Sequence, residues 1–268
     1  MLGAVRPSGS RRSWWLREAL AAESSASSHL ASATPPLRGT ITADVVIVGA
    51  GYTGLWTALR VSELEPGARV VLLEADICGG GPSGRNGGFV TNWWDEFGGL
   101  LDRYGAEGAI AVGQAIEDAV DEVGAFCATN GVDAWFTKAG ALSVSAAPAQ
   151  DGVWNDGLEV LRGHGLGDRV LPLTAEQVAE RIRSPAFREG VFMRDAATVQ
   201  PAVLARALRR VALERGVVIA EGSEVVEIDG QRPGRAGRPR RAISTRRYAA
   251  RRRWRLPAGA GPDEFRGG

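Results

Sequence analysis

Three glycines and one acid carry the chemistry this sequence makes plainest. Gly49-Ala50-Gly51-Tyr52-Thr53-Gly54 has the G-x-G-x-x-G spacing, and Glu74 follows 20 residues after its last glycine. Each position answers a need of pyrophosphate binding: Gly49 permits a tight turn, Gly51 lets the backbone approach the phosphates, and Gly54 lets a helix pack closely on a strand. The phosphates would then lie at a helix N-terminus, where N–H groups without intrahelical partners and the positive end of the dipole favour anions. A carboxylate at Glu74 can accept hydrogen bonds from both hydroxyls of an adenosine ribose, and it would repel a 2′-phosphate. This spacing alone does not separate FAD from NAD.

The elements needed to position these residues are legible on either side. Ala43-Asp44-Val45-Val46-Ile47-Val48 is a short apolar, β-branched run, as expected of a parallel strand buried on both faces. Leu55, Ala58, Leu59 and Val61 give a helical pattern that ends at Pro66-Gly67, and Arg69-Val70-Val71-Leu72-Leu73-Glu74 supplies a second strand. Strand, helix, second strand and terminal acid make a complete βαβ unit.

A long glycine-rich loop, Cys78-Gly79-Gly80-Gly81-Pro82-Ser83-Gly84-Arg85-Asn86-Gly87-Gly88, follows the acid. Residues 43–94, with their GAGYTGLWTAL and GGGPSGRNGGF strings, resemble FAD-dependent oxidoreductases of the D-amino-acid-oxidase type, and most of all their gamma-glutamylputrescine-oxidase-like branch. The resemblance implies FAD as cofactor. It implies contacts to the flavin ring and ribityl chain from Ser83, Arg85, Asn86, Gly87 and Gly88, beside those of Gly49, Gly51, Tyr52, Thr53, Gly54 and Glu74 to the dinucleotide. It also implies a backbone contact of Val225 to adenine. The reaction implied is hydride transfer from the amine-bearing carbon of an amine or amino acid to flavin N5. No His, Lys or acid in the sequence is a convincing base, so no catalytic residue is assigned.

The expected fold is α/β: a Rossmann-like FAD-binding domain with an incomplete antiparallel α+β substrate domain. The expected division is a leader helix and linker at 1–40, a FAD-binding domain at 41–104 and 196–230, a partial substrate domain at 105–195, and a tail at 231–268. A helix is expected over 105–130 with Glu117, Asp118, Asp121 and Glu122 on its wet side. Residues 133–137 and 141–144 read as a hairpin around Lys138-Ala139-Gly140. Pro201, Leu204, Leu208, Val211 and Gly216 outline a further helix, followed by strands over 217–220 and 224–228. Cys78 and Cys127 read as buried filler and His164 as an exposed turn residue.

Composition narrows the classes. With 44% hydrophobic and 24% charged residues over 268 positions the chain is globular, and no apolar run reaches the ~20 residues of a membrane span. Two cysteines and two histidines argue against a metal centre, so none is expected. Ser10-Arg11-Arg12-Ser13-Trp14-Trp15-Leu16 has the look of a twin-arginine export signal, with Ala31-Ser32-Ala33 as a cleavage site. Glu18 and Glu23 interrupt the apolar stretch such a signal needs. The favoured reading is a cytoplasmic protein whose leader helix, at about 14–22, buries Trp14, Trp15 and Leu16.

The near-neutral total hides two unlike parts: residues 231–268 hold 12 Arg against Asp263 and Glu264, while the rest of the chain is net acidic. Such a segment could be a basic arm for nucleic acid or anionic lipid, making the chain a nucleotide-binding or basic-tailed interaction protein. Lys138 is the sole lysine among 32 basic residues, a sign of GC-rich codons. Out-of-frame reading of GC-rich DNA yields Arg/Gly/Pro/Ala text of this kind. The favoured expectation is therefore a shift of frame after about Gly230, a disordered tail, no nucleic-acid partner, and a truncated, impaired copy of the family.

Overall fold

A computed structural model describes residues 12–25, 34–229 and 242–247. In chain order the elements are α1 (Trp14–Ser25), β1 (Val45–Val48), α2 (Tyr52–Leu64), β2 (Val70–Leu73), β3 (Phe89–Val90), α3 (Phe97–Thr129), β4 (Ala141–Val144) and α4 (Asn155–Gly163). There follow β5 (Val170–Leu173), α5 (Ala175–Arg181), β6 (Gly190–Met193), β7 (Ala197–Thr198), α6 (Pro201–Glu214), β8 (Val218–Ala220), β9 (Ser223–Asp229) and β10 (Ala242–Arg247). The chain divides into two units, one drawn from Met1–Arg85 and Ala205–Gly268, the other formed by Asn86–Leu204. The fold is α/β.

The first unit is built on a parallel sheet of order β1-β2-β8, with Val45 opposite Val70 and Val71 opposite Val218. β2 has a neighbour on each side, and all four of its residues are buried. Each such side chain contributes roughly 1.5–3 kcal/mol relative to an exposed one. β1 departs from the expected double burial. Among the described residues it is the sheet's edge, its burial alternates, and Val48 is 51% exposed. An apolar run specifies a strand but not how many neighbours that strand has. Leu55, Ala58 and Leu59 of α2 are buried, as are Leu204, Leu208 and Val211 of α6. In α1 it is Leu16 and Ala19 that are buried, three residues apart, whereas Trp14 is 69% exposed with the Arg17 guanidinium over its ring. The helix period thus puts Trp14 outside the stripe it was expected to join.

β9 and β10 form an antiparallel pair with a bulge between Ser244 and Thr245. The expectation of disorder from residue 231 onward therefore fails at Ala242–Arg247. β-branched Ile243 and Thr245 favour a strand, a signal that the surrounding arginines obscure. The rest of that segment lies outside the described residues, as do Arg11, His29 and the Ala31-Ser32-Ala33 site.

The second unit holds an antiparallel sheet of order β4-β6-β5 and a small β3-β7 pair. Its core gathers Trp94, Phe97, Leu100, Leu158, Leu161, Val170, Val191 and Met193. The expected hairpin over 133–144 does not form. β4 pairs instead with β6, Ala141 opposite Met193, and Thr137 makes only a bridge to Thr198. Trp135, at φ 54, interrupts any strand there, and the Gly140 N–H is taken by Ala196 O. α3 starts earlier than expected, at Phe97, and breaks at Gly105 (φ 66).

Candidate functional site

The first unit brings the G-x-G-x-x-G segment and its acid together. Gly49 leaves β1 at φ 96, a conformation that favours glycine, and its N–H donates to Leu73 O at 2.8 Å. That bond locks the turn to the end of β2. A Cβ on Gly54 would lie 1.9 Å from Gly49 O, so α2 and β1 approach as closely as they do only because the side chain is absent. A Cβ on Gly51 would lie 2.9 Å from Ser83 Oγ, which accepts the Tyr52 N–H at 2.9 Å. The first turn of α2 has neither a capping side chain nor an acidic residue. No acid within the turn itself therefore offsets the helix dipole, the setting that suits a bound anion.

Glu74 sits just past β2, in the same turn. Its Oε2 accepts the Ala50 N–H at 2.7 Å and its Oε1 the Asp76 N–H at 2.8 Å. A carboxylate has about four acceptor sites, so each oxygen keeps capacity for a ligand hydroxyl. The two backbone bonds aim it beside the helix entrance. A glycine-lined approach, an anion-favouring helix end and a held carboxylate are the parts that an adenosine diphosphate moiety requires, and the residues present fit one.

The loop after Glu74 is tied back to the turn: Gly79 N–H donates to Ala50 O at 3.0 Å. Ser83 lies in a single 3-10 turn, Pro82–Gly84, and Arg85 is exposed after it. Val225 lies on β9 opposite Thr245, packed against Val71, Leu73 and Ala220. Asn86, Gly87 and Gly88 belong to the second unit. There Asn86 Oδ1 accepts the Gly88 N–H at 2.8 Å, and Gly88 O accepts the Val199 N–H, also at 2.8 Å.

Around the first unit's site is a buried ionic group that the sequence patterns did not reveal. Glu221, 2% exposed between β8 and β9, accepts the Cys78 and Thr34 N–H groups at 2.8 Å each. It also pairs with Arg206 and Arg209 of α6 at 3.2 Å each. Burial pushes its carboxyl up, but the Arg209 charge, the Cys78 N–H, Arg206 and the Thr34 N–H together hold it below the ordinary range. Arg206 forks Glu23 of α1 at 2.7 and 2.8 Å. Arginines at positions 206 and 209 fall on the far side of α6 from its apolar stripe at 204, 208 and 211, so the helical period gives no sign that they are buried. Burial, and next the Glu221 charge, push the Cys78 thiol up, so it is an unreactive filler.

In the second unit Glu117, Lys138 and His164 are each engaged by neighbours. Glu117 was expected on the wet face of α3 but is 9% exposed. It accepts the Trp94 indole N–H at 2.8 Å and bonds Arg169 at 2.6 Å. A helical period places a residue on a face but does not say what covers that face, and here Trp94 does. Lys138 pairs with Asp121 and Asp195 at 2.6 and 3.1 Å, bonds that raise its pKa and keep it protonated. His164 ends α4, its Nδ1 2.9 Å from Val160 O and its ring edge-on to Phe97. Among the described residues no cluster of acids, histidines or cysteines could hold a metal ion, and no helix is long and apolar enough to cross a membrane.

Comparison with known proteins places this geometry. The family profile DAO, described as FAD dependent oxidoreductase, matches residues 44–254 and so continues past Gly230, the point after which a shift of frame is expected from composition. The Rhizobium meliloti protein named "Probable oxidoreductase OrdL" is 31% identical over 199 residues, 73% of this chain and 45% of that protein. Gamma-glutamylputrescine oxidoreductase of Escherichia coli is 54% identical over 56 residues, 21% of this chain and 13% of that one. The crystal structure of glycine oxidase from Geobacillus kaustophilus superposes with a TM-score of 0.61 at 19% identity, covering 77% of this chain and 52% of that one. The chain thus spans about half the length of these relatives or less.

Proposed function

The chain belongs to the DAO family of FAD-dependent oxidoreductases, with FAD the family's cofactor, and we propose that its site serves oxidation of an amine or amino acid. The observation that carries the reading is the Glu74 carboxylate held at the entrance of α2 by the Ala50 N–H at 2.7 Å. In this reading the first turn of α2 and Gly49, Gly51, Tyr52, Thr53 and Gly54 hold the pyrophosphate, while Glu74 grips the adenosine ribose. Val225 meets adenine. Ser83, Arg85, Asn86, Gly87 and Gly88 line the flavin side, where Arg85 offsets negative charge. Bound FAD supplies the hydride acceptor, and the chain's own residues bind, orient and exclude water. The substrate class is supported by the gamma-glutamylputrescine oxidoreductase and glycine oxidase relatives.

We further read the chain as a cytoplasmic copy of impaired activity, with a shifted frame after about Gly230. Two free, buried cysteines support the first point, and the arginine-rich composition of 231–268 supports the second, against which stands the family match that runs on to residue 254. The gene's DNA around codon 231, read in all three frames, tests the frame shift: uninterrupted family sequence in another frame is expected, and its absence refutes it. The site itself is tested by titrating the purified chain with ADP and with its 2′-phosphorylated analogue. ADP is expected to bind, the 2′-phosphate form to bind far more weakly, and Glu74→Ala to weaken ADP by roughly 10-fold or more, the loss of charge-assisted hydrogen bonds. ADP affinity indifferent to Glu74→Ala would overturn the assignment. Flavin bleaching with gamma-glutamyl amines and amino acids reads out turnover, expected to be weak or absent.

A further inference from the structure

The loop from Asp76 to Arg85 is glycine-rich, with Gly79, Gly80, Gly81 and Gly84 among its residues. Glycine loses more conformational freedom on ordering than any other residue, so a loop of this composition holds one shape only if outside contacts fix it. Some come from the nucleotide turn and from Glu221, through Gly79 N–H to Ala50 O, Tyr52 N–H to Ser83 Oγ and Cys78 N–H to Glu221, and those at the loop's two ends come from the segment just before and within α1. Arg12 forks the Asp76 carboxylate, Nη1 to Oδ2 at 3.0 Å and Nη2 to Oδ1 at 3.1 Å. The next residue, Ser13, donates its hydroxyl to Gly84 O at 2.6 Å and accepts the Leu16 N–H at 3.1 Å, so the same oxygen also caps the start of α1. Two consecutive residues therefore grip the two ends of the loop. At the other end of α1, Glu23 fixes Arg206, whose Nη1 lies 3.4 Å from Cys78 O in the loop itself.

Both grips lead directly to the site. The Asp76 N–H is one of the two donors that aim Glu74, and Ser83, beside Gly84, receives the Tyr52 N–H at the head of α2. The family match starts at residue 44, so this arm lies outside it. We infer that residues 12–25 are part of the cofactor site: Arg12 and Ser13 are positioning residues that hold the 76–85 loop in its binding shape, and the arm thereby sets the affinity for the flavin dinucleotide. The inference rests on the FAD reading above. It also gives Arg12 and Ser13, two residues of the export-like motif, a place inside the folded unit.

The test uses the full chain as wild type, Arg12→Gln, Ser13→Ala and Ser13→Thr. FAD and ADP affinities are measured by titration, and amide hydrogen exchange is followed without nucleotide. Arg12→Gln, acting through Asp76 on Glu74, is expected to weaken both ligands by roughly 10-fold, as loss of a charge-assisted bond does. Ser13→Ala, acting at the Ser83 end, is expected to weaken FAD by a similar factor and ADP far less, with Ser13→Thr restoring the wild-type value. In the absence of nucleotide, both weakened variants are expected to speed exchange at Gly79, Gly80 and Gly84 while leaving β2 protected. A purely structural arm would lower β2 protection along with everything else and leave the FAD-to-ADP ratio unchanged, which overturns the inference. Wild type that binds FAD, with variants that bind it equally well, overturns the inference and leaves the FAD reading intact. Wild type that binds neither nucleotide refutes the FAD reading and the inference with it.

Discussion

Replacing Gly54 by alanine sets two effects of opposite sign against each other, and the structure decides between them. Gly54 is the third residue of α2, where alanine is favoured by up to about 1 kcal/mol on helix propensity alone. Its new methyl would stand 1.9 Å from Gly49 O and 3.3 Å from Ile47 Cγ2. An ordinary carbon–oxygen contact is about 3.3 Å, so α2 or the Gly49 turn must yield by roughly 1.4 Å. The turn cannot yield cheaply, because its N–H is bonded to Leu73 O at 2.8 Å. Overpacking costs about 1–3 kcal/mol, and a backbone obstacle puts this case at the upper end, leaving a net loss of about 2 kcal/mol. ADP affinity should fall at least about 10-fold, because the helix entrance is what moves. Urea unfolding and ADP titration measure both. Gly157 supplies the matched control: it too is the third residue of its helix, α4, and a Cβ there meets nothing within 4 Å. Gly157→Ala should stabilise by up to about 1 kcal/mol. A Gly54→Ala chain as stable as wild type, with ADP bound as tightly, would refute the close-approach reasoning.

Two further expectations concern the buried charges. Glu221 is held below the ordinary glutamate value of 4.5, so below that pH the unfolded chain takes up a proton that the folded chain refuses. Its contribution to stability is present above 4.5 and lost as pH falls through the depressed folded value. Glu221→Gln should destabilise the protein at neutral pH by about 3 kcal/mol and flatten this acid loss. Urea midpoints measured at stepped pH give both quantities, and an unchanged acid slope contradicts the account. Trp94→Phe removes the indole donor to Glu117 and should cost about 1–3 kcal/mol by leaving that carboxylate short of a partner. A denaturation midpoint equal to wild type would show that the bond contributes nothing.

The sequence by itself determined what is local. β-branched residues at 45–48 and 70–73, the helical period from Leu55 and the fixed offsets of Gly49, Gly51, Gly54 and Glu74 make a βαβ unit, because turn, helix entrance and strand end are all set within some thirty residues. Tertiary structure alone decided what depends on partners distant in the chain. Val46 and Val48 are exposed because, among the described residues, that face of β1 is left open, a fact about what packs on the sheet and not about the strand. Glu117 is buried because Trp94 folds over its helix, and β4 pairs with β6 some fifty residues away instead of closing a hairpin. Arg12 and Asp76 stand 64 positions apart, and Thr34 and Glu221 stand 187 apart. Hydrophobic periodicity reports which face of an element is apolar, but a charged side chain carries no mark of its partner, so only the folded chain reveals which charges meet.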